Sequence, residues 1–364
     1  MIRKGGTMRI KNIKNYCIAV LSTLLLLMLL LLSGCRDVGE NGVVYVYSYG
    51  DYYDPAIVEK FEEQTGITVI QDTYDTAEEM YPVIKNNSAE YDVVCTSDYM
   101  IGKMISEGLL ATLNKENITN LKNIDPVYMS KSEEFDPGNL YSVPHTFGVA
   151  GIAYDSKAVK GEKIDSWSDL WNEKFKGNIV MPDSLRDGMM IGLLKLGYSH
   201  NTTEEIEIKA AAHELMIQKP LVYKYANDSA RDLLADGSAI IGVMWNGEYV
   251  YTHKLNKDVK FTVPEEGSES FIDSWVIPQK AKNKKNAEKW INFLCEAEIA
   301  KQNFDYLHYT TPNMAAKNLI SRKYTDNEAV FPAKKTLDRC SGLKTLNPAA
   351  DALYSKYWKQ VKAQ

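Results

Sequence analysis

The fold is decided by Val43-Val44-Tyr45-Val46-Tyr47-Ser48-Tyr49-Gly50-Asp51-Tyr52-Tyr53. Its β-branched and aromatic residues predict a short buried strand that ends at the glycine. An Asp-Pro pair follows and predicts a helix start, with a capping residue and a proline in the first turn. Ligands of open α/β sheets bind beyond the carboxyl ends of strands, so Tyr49, Asp51 and Tyr52 are candidate contacts. A tyrosine-rich loop packed on its own domain explains the same residues equally well.

Strand and helix patterns alternate along the rest of the chain. One predicted helix, 76–85, contains Pro82, which should kink it or end it early. The alternation indicates a mainly parallel sheet with flanking helices. Two extended runs, 141–154 and 270–278, look like segments that cross between two lobes. We therefore expect two α/β lobes, each built from discontinuous segments, with a cleft between them.

The N-terminus has the pattern of an export signal. Five basic residues precede an apolar run over 17–32, which ends in Leu32-Ser33-Gly34-Cys35. This is a secretory signal whose last residues resemble a bacterial lipobox, in which the cysteine is acylated before cleavage. A transmembrane anchor is the alternative, although the run is short for a span of ~20 residues. We predict a lipoprotein signal peptide over 1–34, lipidation of Cys35 and an anchor linker over 35–42.

Composition excludes several classes of protein. The 364 residues have a mean hydropathy of -0.31, which suits about two globular domains and excludes a polytopic membrane protein. From Cys35 onward, the chain has 37 basic and 48 acidic residues, which gives a net charge of -11. An exported acidic protein of this kind is not expected to bind nucleic acid.

Motifs for catalysis and metal binding are missing from the sequence. The chain has no G-x-S-x-G, no P-loop, no H-E-x-x-H and no metal spacing of cysteines. We predict that it is not an enzyme and needs no cofactor or metal, although paired carboxylates leave a glycosidase open. Cys95 is predicted in the core, and a Cys295–Cys340 disulfide stays an alternative.

Acidic and aromatic residues recur where the predicted strands end. They are Tyr49, Asp51, Tyr52, Ser97, Tyr99, Asp183, Ser184, Asp187, Trp245, Glu248, Phe271, Asp273 and Tyr309. Aromatic faces attract ammonium groups by roughly 0.5–2 kcal/mol each, and carboxylates form charge-assisted hydrogen bonds with them. The set therefore suits an amine ligand, although Asp183 and Asp187 could simply cap the following helix.

Seven short motifs occur in the order that they have in one known family. They are Tyr47-Ser48-Tyr49-Gly50-Asp51-Tyr52, Tyr91-Asp92-Val93-Val94 with Ser97 and Tyr99, Ser166-Trp167-Ser168-Asp169-Leu170-Trp171, Leu196-Gly197-Tyr198-Ser199, Met244-Trp245-Asn246-Gly247, Ile272-Asp273-Ser274 and Tyr309-Thr310-Thr311-Pro312-Asn313. On these motifs the mature chain resembles the spermidine/putrescine-binding proteins of polyamine ABC importers. The resemblance implies a two-lobed periplasmic-binding-protein fold of type II that closes on its ligand by a hinge.

The resemblance also implies roles for individual residues. Asp273 matches the principal carboxylate and Trp245 the aromatic wall, while Tyr49 and Phe271 stand where family members have tryptophan. Ser184 replaces an aspartate of spermidine-selective members. Residues implied or suggested as ligand contacts are Tyr49, Asp51, Tyr52, Ser97, Tyr99, Ser184, Asp187, Trp245, Glu248, Phe271, Asp273, Tyr309 and Lys344.

These residues lead to an expectation about the amine. Glu248 and Lys344 fall where putrescine-selective members place aspartate and lysine. Together with the carboxylate lost at Ser184, they favour a diamine such as putrescine over spermidine, provided that Lys344 lines the far end of the cleft.

The resemblance completes the predicted organisation. The N-terminal lobe would comprise 43–147 and 272–317, and the C-terminal lobe 148–271 and 318–364. The protein would be a monomeric, lipid-anchored subunit on the outer face of a bacterial cell membrane, which delivers polyamine to membrane permease subunits. Binding of another cation, thiamine or a metal, and an exported hydrolase are the alternatives.

Overall fold

The computed structural model describes residues 41–363. The predicted signal peptide, Cys35 and most of the anchor linker lie outside the described residues. Within 41–363, no helix is both long enough and apolar enough to cross a membrane.

Strands and helices alternate through the first half of the described chain. The strands are β1 Val43–Tyr49, β2 Thr68–Tyr74, β3 Val93–Ser97, β4 Ser142–Asp155, β5 Ile179–Met181, β6 Val222–Tyr225, β7 Ile241–Trp245, β8 Val259–Thr262, β9 Ser268–Val276 and β10 Cys340–Ser341. The α-helices are α1 Pro55–Thr65, α2 Ala77–Asn86, α3 Asp98–Ser106, α4 Pro126–Ser132, α5 Leu185–Lys195, α6 Glu205–Gln218, α7 Ala230–Ala235, α8 Asn246–Leu255, α9 Lys284–Leu294, α10 Ala297–Leu307, α11 Met314–Lys317, α12 Arg322–Thr325, α13 Lys334–Leu337 and α14 Pro348–Ala363.

The strands are hydrogen-bonded in the order β2-β1-β3-β9-β4-β7-β5-β6, with β10 beside β9 and β8 beside β4. The pairs β1–β2, β1–β3, β5–β6 and β5–β7 are parallel, as the alternating pattern predicted. The central strands β4 and β9 pair antiparallel with their neighbours β3, β7 and β8 and with each other. The sheet is therefore parallel towards both edges and antiparallel where the two halves meet.

The strand β4 connects the two halves, as the extended run predicted. Its first part, 142–149, pairs with β9, and its second part, 150–155, pairs with β7 and β8. Separate hydrophobic clusters form on the two sides, one around Trp290 and Phe61 and another around Trp167 and Met189. The two-lobed fold is thus confirmed, while the segment boundaries of the lobes stay a prediction.

Helix α1 has the termini that its sequence predicts. The Asp54 side chain accepts a hydrogen bond from the Ala56 amide, and Gly66 ends the helix at φ 66. Helix α2 differs, because it continues past Pro82 to Asn86. Thr76 caps the start of α2, and the burial of its apolar face outweighs the one hydrogen bond that proline removes.

The three cysteines in the described chain are free thiols. Cys295 is buried at the end of α9, in the same cluster as Trp290, whereas Cys340 lies on β10 beside Ser268. The Cys295–Cys340 disulfide is therefore absent from the structure. Cys95 is fully buried on β3, as predicted.

Gly148 allows β4 to pass close beneath an aromatic ring. A Cβ atom there would lie 2.3 Å from Cζ of Phe271 and 2.7 Å from Oδ1 of Asn246.

We expect Gly148→Ala to lower the free energy of unfolding by about 1–3 kcal/mol, measured by urea denaturation. Gly50→Ala is the control, since its Cβ would be 3.6 Å from its nearest neighbour. Equal stabilities of both variants and wild type would contradict this interpretation.

Candidate functional site

A cavity of about 770 Å³, including the open solvent at its entrance, lies between the two lobes. Its walls contain 12 of the 13 residues predicted as ligand contacts. These are Tyr49, Asp51, Tyr52, Ser97, Tyr99, Ser184, Asp187, Trp245, Glu248, Phe271, Asp273 and Tyr309. The structure thus brings together side chains that are separated by up to 260 positions in the sequence.

Three of the helices that begin at the cavity wall follow the ends of strands. Helices α3 and α8 follow directly after β3 and β7, and three residues separate the end of β5 from the start of α5. Each has a carboxylate in its first turn: Asp98 in α3, Asp187 in α5 and Glu248 in α8. The N-terminus of a helix carries partial positive charge, so these positions favour acidic side chains. This placement gathers three carboxylates around one cavity.

Strand β9 supplies a row of three side chains to the same cavity. Glu269, Phe271 and Asp273 all line it, at alternate positions of one strand. Residues two apart on a strand project to the same face, so a row of this kind is the expected geometry. Pairing with β4 on one side and with β3 or β10 on the other fixes the row in place.

Asp273 is a buried carboxylate at the centre of the site, with 5% of its surface exposed. The Tyr52 hydroxyl donates a hydrogen bond to its Oδ2 and lies 2.9 Å from the Thr146 hydroxyl. Burial raises the pKa of Asp273 to about 7, although the hydrogen bond from Tyr52 opposes the shift. A cation in the cavity would favour the charged form of this carboxylate.

Aromatic rings form the walls around Asp273. Tyr49 and Tyr52 lie 5.1 Å apart between ring centroids, and Phe271 meets Tyr309 edge-on at 5.9 Å. The Tyr49 hydroxyl is hydrogen-bonded to Ser97 at 3.1 Å. These contacts hold the rings in fixed orientations, and their faces can pack against methylene groups or a cation.

One end of the cavity already contains a protein cation. Arg231 on α7 lies 2.9 Å from Asp51 and 3.3 Å from Glu248. Because Asp51 follows β1 and Arg231 belongs to the other half of the sheet, this contact joins the two lobes. Burial, and then the neighbouring Asp228, raise the pKa of Glu248 to about 7, while Arg231 acts in the opposite direction.

The other end is acidic and enclosed. Glu269 is 2% exposed, and its Oε1 accepts a hydrogen bond of 3.3 Å from Nε1 of Trp245. Asp187 and Asp98 line the same region and are also buried. Burial, and then the neighbouring Asp187, raise the pKa of Glu269, and burial raises that of Asp98 to about 8.

Lys344 is the one predicted contact that the structure does not bring to the cavity. Lys344 is exposed, and the preceding Leu343 lines the cavity wall instead. The backbone explains this placement, because the Lys344 amide donates to Asn201 and its carbonyl accepts from Arg186. The premise that a lysine lines the far end of the cleft is therefore wrong.

Sequence reasoning missed several lining acids and the neighbouring arginine. Glu269 lies one residue before the predicted crossing strand, and alternation with Phe271 and Asp273 would have revealed it. Asp98 directly follows the predicted contact Ser97. Arg231 belongs to a short helix that no strong periodic pattern indicates.

Comparison with known proteins assigns the family. Residues 56–333 match the family described as bacterial extracellular solute-binding proteins. The chain belongs to this family. As a solute-binding protein, it is similar to the spermidine/putrescine-binding periplasmic protein of Escherichia coli K12, with 35% identity over 325 residues. The alignment covers 89% of this chain and 92% of that relative.

Solved structures resemble this solute-binding protein as well. A Listeria monocytogenes protein assigned to spermidine/putrescine ABC transport superposes with a TM-score of 0.84 at 33% identity, over 88% of this chain and 98% of that one. The spermidine/putrescine substrate-binding protein PotD of Streptococcus pneumoniae gives 0.74 at 33% identity, over the same shares of the two chains.

The cavity of this solute-binding protein can bind a cation without a cluster of metal-ligating side chains. Within residues 41–363, no group of three or more His, Cys, Asp or Glu side chains is arranged to hold a metal ion. The lining acids share the cavity with the aromatic rings of Tyr49, Tyr52 and Phe271.

His145 contacts the backbone of the cavity residue Tyr52, and its burial makes the stability of the folded protein depend on pH. Its Nε2 lies 3.1 Å from the Tyr52 carbonyl oxygen, and burial lowers its pKa to about 4. The unfolded chain, with an ordinary histidine pKa near ~6.5, binds the extra proton between about pH 4 and 6.5, so this residue makes stability rise with pH across that window.

We expect His145→Gln to flatten the pH dependence by up to about 1.4 kcal/mol per pH unit, measured by urea denaturation from pH 4.5 to 7. The exposed His213→Gln is the matched control and should keep the wild-type slope. An unchanged slope in His145→Gln would contradict the buried neutral state of this imidazole.

Proposed function

We propose that this solute-binding protein is the extracytoplasmic polyamine-binding subunit of an ABC importer. It captures the ligand in the cavity between the lobes and delivers it to permease subunits in the membrane. The observation that carries the proposal is the pair of buried carboxylates Asp273 and Glu269, which line a cavity with aromatic walls and form no ion pair with a lysine or arginine of the described residues. The names of the relatives that bind spermidine or putrescine support the same ligand class.

The chemistry of the cavity favours a ligand with ammonium groups on an aliphatic chain. Buried carboxylates without a cation are costly, and an ammonium group restores the missing charge with hydrogen bonds. The rings of Tyr49, Tyr52 and Phe271 offer apolar faces to the methylene groups between ammonium groups. A neutral sugar or an anion would leave the charge of these carboxylates uncompensated.

The same proposal covers the remaining properties of the protein. It acts by binding and release rather than by catalysis, and it functions as a monomer. Lipidation of Cys35 would hold it at the outer face of the cell membrane, where its ligand arrives from outside. Thiamine or metal binding and an exported hydrolase remain the competing functions.

Asp273→Asn tests the ligand-binding role directly. The amide keeps the size of the side chain but removes the charge that would pair with a buried ammonium group. Loss of one partner of such a pair costs roughly 3–5 kcal/mol, so we expect affinity to fall by about two to four decades. Isothermal titration calorimetry with putrescine and spermidine measures the change.

The exposed Asp338→Asn removes the same charge far from the cavity and is the matched control. An unchanged dissociation constant in Asp273→Asn would refute the assigned role. Recovery of unchanged amine after incubation separates a binder from a hydrolase, and titrations with thiamine and divalent metals test the other cations.

Cys35→Ala tests the lipid anchor. The variant lacks the thiol that accepts the lipid, so we expect unprocessed precursor and no incorporation of labelled fatty acid in cells. Wild-type protein should carry the label and fractionate with membranes. Ser33→Ala keeps the thiol and a small residue before it, and should be processed as wild type is. Label on Cys35→Ala would show that another residue carries the anchor.

A further inference from the structure

The carboxylates at the two ends of the cavity differ in whether a protein cation is paired with them. At the exposed end, Arg231 pairs with Asp51, whose side chain is 57% exposed, and with Glu248. The same guanidinium also acts on Asp228, which lines this end of the cavity, so one protein cation is shared by three acids. An ammonium group of a ligand gains less at this end than at an end where no cation is paired, because a cation is already present and water screens the more exposed acid.

In the described chain, no lysine or arginine is paired with the acids at the enclosed end of the cavity. Within the described chain, no lysine or arginine forms an ion pair with Glu269, Asp187 or Asp98. Arg186 is buried nearby, but its guanidinium donates to neutral oxygens, the Lys344 carbonyl at 3.0 Å and the Asn201 side chain at 3.2 Å. Arg186 acts to lower the pKa of Asp98 against the effect of burial. Among the described residues, no lysine or arginine is paired with Glu269 or Asp187, and these two buried acids line the cavity.

Glu269 is held in a defined position rather than free to turn away. Trp245 donates to one carboxyl oxygen at 3.3 Å, and the neighbouring Asp187 helps to raise the pKa of the Glu269 carboxyl group. Glu269 and Asp187 both line the cavity. An ammonium group in the cavity can donate hydrogen bonds to both acids and stabilise their charged forms.

The spacing along β9 matches a long ligand. Four residues at ~3.3 Å each place the Cα atoms of Glu269 and Asp273 about 13 Å apart on one face of the strand. Phe271 lies between them on the same face. Putrescine, with four methylene groups between its ammonium groups, is much shorter than this Cα separation, whereas an extended spermidine comes close to it.

We infer that Glu269, together with Asp187, binds an ammonium group that a triamine such as spermidine has and a diamine such as putrescine lacks, so that Glu269 makes the site select the triamine. The inference rests on the proposed polyamine-binding function. Glu269 is not among the positions for which the family resemblance supplied a role. It is a specificity residue that the geometry of this chain identifies.

This inference replaces the expectation of a diamine. That expectation rested on Lys344 lining the cleft, an acid at Glu248 where putrescine-selective members have one, and a missing acid at Ser184. Lys344 is outside the cavity, and Glu248 is paired with Arg231. Glu269, on strand β9, supplies an acid to the same cavity that Ser184 lines.

Calorimetric titrations of wild type and Glu269→Gln with putrescine and spermidine test the inference. The amide retains the acceptor for Trp245 and the volume of the side chain, but not the charge. We expect wild type to bind spermidine at least tenfold more tightly than putrescine. In Glu269→Gln, spermidine affinity should fall at least tenfold and putrescine affinity less than threefold.

Glu265→Gln is the matched control, because its side chain is 74% exposed and the substitution removes the same charge four residues away. It should keep the wild-type ratio of affinities. Equal losses for both amines in Glu269→Gln, or no loss for spermidine, would overturn the inference.

Should Glu269→Gln fail to fold, wild type alone decides, since putrescine binding as tight as spermidine binding also overturns the inference. Wild type that binds neither amine refutes the proposed function itself, which separates the two failures.

Discussion

The structure depends on the hydrogen bonding of one strand, Ser268–Val276. It pairs with Val93–Ser97 and with Ser142–Asp155, and its first residues pair with Cys340–Ser341. Because partners on both sides fix its register, alternate side chains must project into the space between the lobes. A shift by one residue would replace Glu269, Phe271 and Asp273 with residues that now face the other side. The cavity chemistry is therefore a consequence of strand register.

Much of this architecture could be predicted from periodicity, and most of the site from residue types at strand ends. The strand Ile179–Met181 and the helix beginning at Pro55 have clear signals, alternation or apolar runs bounded by caps. The central antiparallel pairing was not predictable in the same way, because it joins segments far apart in the chain. Pro82 shows another limit, since tertiary burial outweighed a local helix-breaking signal.

Charge pairing was the least predictable property of the site. Asp51 and Glu248 were correctly placed at the cleft, but the sequence gives no indication that Arg231 would neutralise both. Lys344 was misplaced because a one-residue difference in a loop decides whether it or Leu343 faces the cavity. Such contacts depend on loop conformation, which composition and periodicity do not specify.

The contacts between the lobes suggest how the ligand contributes to closure. Asp51–Arg231 and Lys103–Asp351 join the lobes at 2.9 and 2.7 Å, but each pair is partly exposed. Exposed ion pairs contribute about 0–1 kcal/mol each, whereas an uncompensated buried carboxylate costs several. Closure around an empty cavity would bury Asp273 and Glu269 without a cation. Under the proposed function, the ammonium groups of a ligand would remove that cost, and the carboxylates proposed to bind the ligand would also make closure depend on its presence.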